Sequence, residues 1–222
     1  MCIRDSYNEM KIALAKATAT AMPVALKLEP GVDTQTLVTH AYNTAVEALN
    51  GTRNVLDPDA IDHAATLLQR ARQVYCLGQG GSQVLAEDIW ARFSMISTKF
   101  RTAGDSHMQA ITASLMGPED VLLFVSYSGS TRDMMDTLRL AKENGAKVIL
   151  ITHYDDAPGA ALADVVLLCG AQENPLDSGS IPAKLAMLFV ANVLVLRYTL
   201  DNQELANLSL SRTSQALGSK LL

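Results

Sequence analysis

The chain has 222 residues, of which 49% are hydrophobic and 18% are charged, and its formal net charge is -5 at pH 7. This composition excludes a disordered chain and predicts a soluble globular protein with one domain of ordinary size. The acidic balance argues against a broad basic surface of the kind that binds nucleic acid.

The cysteines and the apolar segments indicate a cytoplasmic protein with no membrane association. Cys76 and Cys169 lie inside apolar runs without disulfide or zinc spacing, so we expect both to be buried. The longest apolar segment, residues 185–200, contains Asn192 and Arg197 and is shorter than the ~20 residues that a membrane span needs. The first residues, "MCIRDSYNEMK", carry charges where a signal peptide would be apolar.

The apolar pattern changes at residue 33. Residues 1–32 lack a core pattern, apart from the short helical piece "YNEMKIALAKA", and end in a linker with two prolines. Asp33 can cap a helix over residues 34–50, and a second helix is expected from Pro58. We therefore divide the chain into a leader and linker, 1–32, and one domain, 33–222.

Five short apolar runs alternate with helical segments in this domain. Because several of them are almost continuously apolar, they are typical of parallel strands buried on both faces. The last long helix, 182–200, is apolar nearly all round and is expected to be buried. The pattern predicts an α/β fold, a three-layer α/β/α sandwich whose five-stranded parallel sheet has the flavodoxin-like order and flanking helices. The predicted strands are residues 73–78, 98–103, 121–126, 147–152 and 165–170.

Two loops rich in glycine and hydroxyl groups follow the first and third predicted strands. They are "GQGGS", residues 78–82, and "SYSGST", residues 126–131, and each leads into a helix. In a flavodoxin-like sheet the order reverses between these two strands, which opens a crevice for ligands at their carboxyl ends. Helix starts offer unpaired amide groups and a partial positive charge. The pair of loops therefore predicts a site for a phosphate monoester.

Two plainer interpretations stand beside the phosphate site. A glycine-rich turn after a strand can serve packing alone, and "GQGGS" does not complete the dinucleotide-binding pattern because Val84 stands where its last glycine would be. This departure also counts against a nucleotide-binding module. The hydroxyl groups of the second loop can be helix caps, with Ser130 or Thr131 as the capping residue.

The two loops, together with the segment "AGDSHMQAITASLMGPED" before the third strand, resemble the SIS (sugar isomerase) domain. They are most similar to the sugar-phosphate-sensing domain of MurR/RpiR-type bacterial transcriptional regulators. In that family the serines and threonine of the loops hold the phosphate of a sugar phosphate, and neighbouring residues contribute backbone groups. The resemblance thus implies a site formed by Ser82, Ser126, Ser128 and Thr131, with backbone from Gly80, Gly81, Gly129 and Ser130.

The resemblance also implies a function and partners. The piece "YNEMKIALAK" is similar to the end of the family's helix-turn-helix domain, so residues 1–32 are interpreted as a remnant of that domain with its linker. The expected function is a sensor of a phosphorylated sugar or sugar acid, acting as a homodimer or homotetramer. DNA would be bound only through the missing helix-turn-helix domain.

An enzyme on the same fold, a sugar-phosphate isomerase or lyase, is the alternative. Isomerisation needs a base, and no glutamate is placed for it by a motif, so the sequence favours a sensor and assigns no catalytic residue. Glu173 and His107 are the weak candidates, and Asp177 shares the loop of Glu173. His107 and Lys184 are further candidates for ligand contact. We expect neither a metal nor a cofactor.

Overall fold

The structure is a computed structural model that describes residues 31–170 and 180–218. Its centre is one sheet of five parallel strands in the order β2-β1-β3-β4-β5. This confirms the predicted flavodoxin-like order, in which the chain reverses direction across the sheet between β1 and β3. The strands are β1 Gln73–Gly78, β2 Phe100–Thr102, β3 Asp120–Val125, β4 Lys147–Thr152 and β5 Val165–Leu168.

Seven α-helices surround the sheet in the described ranges, and a short 3-10 turn, Ala160–Leu162, precedes β5. Carboxylates cap several helix starts: Asp33 accepts a hydrogen bond from the N–H of Thr36 at 3.0 Å, and Asp105 accepts one from Met108 at 2.9 Å. The helices are α1 Thr34–Val55, α2 Pro58–Arg70, α3 Gly81–Ser94, α4 Ser106–Ser114, α5 Arg132–Glu143, α6 Ile181–Asp201 and α7 Gln203–Gly218.

The sheet separates two hydrophobic cores, which confirms the three-layer sandwich. Alternate side chains of each strand enter opposite cores, as the two-residue period of a strand requires. In β3, Leu123 packs with α1, α2, α3 and α6, whereas Leu122 and Phe124 pack with α4 and α5. Because both faces of the central strands are covered, every residue of β3 is buried. Cys76 and Cys169 are both buried, as predicted, and burial raises the pKa of the Cys76 thiol.

The apolar helix α6 crosses one face of the sheet. By length and composition it could also cross a membrane, but a core helix of a globular domain passes the same test. Its buried side chains, among them Met187, Val190, Leu194 and Tyr198, belong to the larger core. The helix packs against α1, α2 and α3 with part of its apolar surface, whereas Leu196 and Leu200 are exposed.

Two elements differ by three or more residues from their predicted bounds, whereas β3, β5 and α6 differ by one or two residues at an end. Strand β2 has three residues where six were predicted, because this edge strand pairs with β1 only from Phe100 to Thr102. Helix α1 continues to Val55, beyond the predicted end at residue 50. The extra turn is held by contact with the end of β5, where the N–H of Gly170 donates to the Thr52 hydroxyl at 3.1 Å.

Candidate functional site

The two glycine-rich loops lie side by side at the carboxyl edge of the sheet. Strands β1 and β3 are neighbours, and their last residues, Gly78 and Val125, are partners in the register. The loops therefore leave adjacent strands at the same height, at the point where the strand order reverses. This is the position at which open α/β sheets form ligand crevices.

Glycine is required in the first loop for two different reasons. Gly80 has φ +55° and ψ -127°, a conformation that L-amino acids rarely adopt. At Gly78 a Cβ atom would lie 2.5 Å from the carbonyl oxygen of Ser82, because the chain folds back closely as α3 begins. The Ser82 N–H donates to the Gln79 carbonyl at 3.0 Å, and the Ser82 side chain is half-buried. No side chain caps α3, but the N–H of Gln83 donates to the Gly80 carbonyl at 3.1 Å, so backbone carbonyls already take the amide hydrogens of Ser82 and Gln83.

The second loop is held by the end of β4. The carbonyl oxygen of Tyr127 accepts hydrogen bonds from the Thr152 hydroxyl and from the N–H of His153, each at 3.0 Å. Gly129 has φ +55°, and its carbonyl accepts from the N–H of Gly159 at 2.9 Å. This bonding fixes the loop backbone and makes its amide and hydroxyl groups a preformed surface.

The serines of the second loop differ in their environment. Ser126 is buried, and its Oγ accepts from the N–H of Gly129 at 3.2 Å, which leaves its hydroxyl hydrogen available to another acceptor. Ser128 and Ser130 are half-buried, and neither hydroxyl has a hydrogen bond within the described part of the chain. Together these groups offer several donors to an anion.

Thr131 is the N-cap residue of α5, as the plainer interpretation predicted, but its side chain makes no capping bond. Its hydroxyl instead donates to the Oε1 atom of Gln79 at 3.1 Å. This hydrogen bond joins the second loop to the first across the crevice. Helix capping therefore does not account for the hydroxyl of Thr131.

Lys184 supplies a cation beside the first loop. It is half-buried in the first turn of α6, and its Cε and Nζ atoms lie 3.6 and 3.9 Å from the position of a Cβ atom added to Gly81. No ion pair of Lys184 occurs in residues 31–170 and 180–218. An ammonium group and two helix starts thus converge on a crevice whose loops contain no acidic residue.

The remaining candidates are less well placed. His107 is exposed in the first turn of α4, and no hydrogen bond joins it to either loop within the described ranges. The side chain that α4 directs toward the first loop is Gln109, and residues two positions apart project about 200° apart around a helix. Glu173 and Asp177 lie outside the described residues. No cluster of His, Cys, Asp or Glu suited to a metal occurs in the described ranges.

Two glutamines of the site were missed by the sequence analysis. Gln79 bonds Thr131, and Gln109 is buried with its Nε2 atom 2.7 Å from the carbonyl oxygen of Gly78 and 3.2 Å from that of Ala103. Gln109 thereby ties α4 to the last residue of β1. An available signal was its position in the family-like segment before β3, where a polar residue occupies the inner face of a short helix.

Comparison with known proteins agrees with this geometry. Residues 67–197 match the SIS domain family. The chain belongs to the SIS domain family. Among its relatives, the HTH-type transcriptional regulator HexR of Pseudomonas aeruginosa is 30% identical over 200 residues, which cover 88% of this chain and 69% of HexR. The regulator RpiR of Escherichia coli K12 is 32% identical over 179 residues, covering 81% of this chain and 60% of RpiR. The relatives of this SIS domain are thus regulators of the RpiR and HexR type, as the motifs predicted.

Solved structures share the SIS fold. The Vibrio vulnificus NanR protein, complexed with ManNAc-6P, aligns with a TM-score of 0.82 and 23% identity, covering 95% of this chain and 74% of NanR. The sugar isomerase domain of an RpiR transcription factor from Sphaerobacter thermophilus aligns with a TM-score of 0.73 and 24% identity, over 81% of this chain and 98% of that domain. At these identities the likeness establishes the fold.

Proposed function

We propose that this SIS domain is the effector domain of an RpiR-type transcriptional regulator and binds a phosphorylated sugar or sugar acid. The observation that carries the proposal is the crevice between β1 and β3. There two helix starts, the hydroxyl groups of Ser82, Ser126, Ser128 and Thr131, and the ammonium group of Lys184 lie at two loops that contain no acidic residue. Such a set of donors is complementary to the oxygens of a phosphate monoester.

The elements of the crevice have separate roles in this proposal. The backbone of Gly80, Gly81, Gly129 and Ser130 approaches the phosphate, and the hydroxyls donate to its oxygens. Lys184 neutralises part of the charge of the dianion. A ligand that bridges the two loops favours the arrangement in which both are ordered, and this differential affinity can shift the packing of a homodimer or homotetramer. DNA would be contacted by the helix-turn-helix domain of such a regulator, in the cytoplasm.

A sensor is favoured over an isomerase or lyase because neither of the two loops contains a histidine or carboxylate that could serve as a base. His107, the described candidate, is exposed and has no bond to the loops. The relatives named above are regulators, and the helix-turn-helix remnant expected in residues 1–32 has the same implication. Incubation with hexose, pentose and sugar-acid phosphates should therefore return each compound unchanged. Turnover that is abolished by Glu173→Gln would establish the enzyme instead.

Titration calorimetry tests the binding proposal directly. At least one sugar phosphate of a panel that includes glucose 6-phosphate, ribose 5-phosphate and ManNAc-6P should bind, and the corresponding unphosphorylated sugars should bind far more weakly. Equal binding of a sugar and its phosphate would contradict the phosphate site.

Ser128 and Ser130 form a matched pair of variants within one loop. Ser128→Ala removes a hydroxyl that donates to a charged oxygen, which corresponds to about 1.5–3 kcal/mol or about a tenfold to hundredfold loss of affinity. Ser130→Ala keeps the backbone amide through which Ser130 is proposed to act, so its affinity should change by less than about threefold. Equal losses in the two variants would remove the assigned role of Ser128.

A further inference from the structure

The carboxamide of Gln79 has one satisfied and one unsatisfied end. Its Oε1 atom accepts the hydroxyl hydrogen of Thr131 at 3.1 Å, whereas its Nε2 atom is buried without a hydrogen-bond partner in the described part of the chain. Rotating the amide by 180° exchanges the two atoms and again leaves one unpaired. A buried amide donor without a partner is unfavourable, so this side chain can take a further hydrogen-bond partner in the crevice.

Two further unpaired atoms lie at the same end of the sheet. Gln109, only 1% exposed, bonds the carbonyl of Gly78 through Nε2, but its Oε1 atom has no partner. The Oγ1 atom of Thr102 is also buried and unpaired, and Thr102 is the last residue of β2, beside Cys76 of β1. Among the described residues, three of the four buried side-chain atoms without partners thus lie at the carboxyl ends of β1 and β2. The fourth, in Asp120, is at the opposite end of the sheet, where β3 begins.

The hydroxyl of Thr131 cannot donate to Gln79 and to a phosphate oxygen at the same time. A threonine hydroxyl has one hydrogen, and the dianion of a phosphate monoester presents only acceptors. When Thr131 donates to a phosphate oxygen, the Oε1 atom of Gln79 therefore loses its donor. A 180° rotation of the amide lets Nε2 donate to the Thr131 oxygen, but Oε1 then lies at the buried position without a partner. In either orientation the carboxamide oxygen needs a donor from the ligand. A sugar hydroxyl supplies one, whereas methyl phosphate, a monoester dianion without a hydroxyl group, does not.

We infer that Gln79 is a specificity-determining residue, whose carboxamide exchanges the Thr131 hydroxyl for a hydroxyl of the sugar when a sugar phosphate binds. The inference rests on the proposed function, because it requires a phosphate beside Thr131. The bond between Gln79 and Thr131 joins the two loops. In the complex Gln79 selects phosphate monoesters that carry a hydroxyl within reach of the phosphate site over monoesters that lack one.

The test compares Gln79→Met with the wild-type chain at pH 8, where phosphate monoesters are dianions. Methionine has a similar length and no amide. The probes are methyl phosphate, glucose 6-phosphate, ribose 5-phosphate and ManNAc-6P, measured by calorimetry and by NMR. The variant should lose about tenfold in affinity for the sugar phosphate that the wild type binds best, the size expected for one hydrogen bond to a neutral group. Its affinity for methyl phosphate should stay within about twofold of the wild-type value.

The side-chain amide signal of Gln79 gives a readout that does not depend on a variant. In the wild-type chain this NMR signal should move differently with the sugar phosphate than with methyl phosphate, because only the sugar provides a new donor. Gln35→Met, which changes an exposed glutamine of α1, is the matched control and should leave all affinities unchanged. Losses of equal size for methyl phosphate and the sugar phosphate in Gln79→Met, or identical movement of the amide signal with both, would overturn the inference.

The same data distinguish this failure from a failure of the proposed function. If the wild-type chain binds none of the sugar phosphates, the proposed function fails and the role of Gln79 fails with it. If the wild type binds a sugar phosphate but Gln79→Met retains the wild-type preference for it over methyl phosphate, the sensor proposal stands and only the role of Gln79 is refuted.

Discussion

Substituting Gly129 by alanine tests whether the second loop is a rigid part of the site. Gly129 has φ +55°, and a left-handed conformation costs an L-residue about 1–2 kcal/mol. An added Cβ atom would also lie 2.6 Å from the Cβ atom of Ala157 and 2.9 Å from the Oγ1 atom of Thr152, both well inside contact distance. The loop backbone must therefore move.

Movement of this loop weakens specific hydrogen bonds. The N–H of Gly129 donates to Ser126, and its carbonyl accepts from the N–H of Gly159 at 2.9 Å. Weakening one or two such bonds adds about 1–2 kcal/mol to the conformational cost. We expect Gly129→Ala to lower the free energy of unfolding by about 2–4 kcal/mol and to reduce binding of a sugar phosphate at temperatures where the variant is folded.

Urea denaturation gives the stability change, and calorimetry gives the affinity. Gly104→Ala is the control, because a Cβ atom there meets no atom within 4 Å and φ lies outside the left-handed range, so stability should rise slightly or stay constant. Ala157→Gly in the Gly129→Ala background removes the 2.6 Å contact, and the double variant should be less destabilised than the sum of the single changes. If Gly129→Ala lowers the free energy of unfolding by less than about 1 kcal/mol and leaves binding unchanged, the interpretation that this loop is rigid is refuted.

Two further changes test the scaffold. Gly51→Ala improves helix propensity by about 1 kcal/mol, but the new Cβ atom would lie 2.7 Å from the Gly170 carbonyl oxygen. Urea denaturation should therefore show a net loss of about 1–2 kcal/mol in the free energy of unfolding. A gain would contradict the close approach of α1 to the end of β5. Burial acts to raise the pKa of Asp164. Its hydrogen bonds from Lys142, at 2.7 Å, and from the backbone N–H of Val148 have the larger combined effect, so the pKa is lowered. Because the folded pKa is below the unfolded one, this stabilisation is present above about pH 4 and is lost as pH falls through the folded pKa. Asp164→Asn should therefore lower the free energy of unfolding by about 1–3 kcal/mol at pH 7 and by much less in acid. The control, Asp136→Asn, changes an exposed ion pair and should lower it by less than about 0.5 kcal/mol at either pH. Equal costs in both variants, or a cost at Asp164 that does not change with pH, would contradict this assignment.

The fold could be predicted from sequence because its signals are local. Continuous apolar runs identified β1, β3 and β4 as strands covered on both faces, and the alternation with helices predicted the parallel sheet. The ends of elements depend on contacts made elsewhere. Gly51 is a residue type that often ends a helix, yet α1 continues past it because the Thr52 hydroxyl binds the N–H of Gly170.

The site could be predicted only in part. Glycine and hydroxyl patterns identified both loops, and the register of Gly78 with Val125 brings them together as the sheet order required. The bond between Gln79 and Thr131 joins residues far apart in sequence, and it depends on the relative heights of two loops, which no local pattern encodes. For the same reason sequence could not rank His107 below Gln109, since both lie in one helical turn and only packing determines which side chain faces the sheet.

A sensor and an isomerase place different demands on the same crevice. An isomerase must hold a base at the carbon that loses a proton, whereas a sensor needs a ligand-free state that differs from the bound state by a defined set of contacts. The bond between Thr131 and Gln79 is such a contact, because it joins the two loops and Thr131 must stop donating to Gln79 when it donates to a phosphate. This pair is therefore suited to exchanging hydrogen bonds when a sugar phosphate binds, which is the property that a sensor needs.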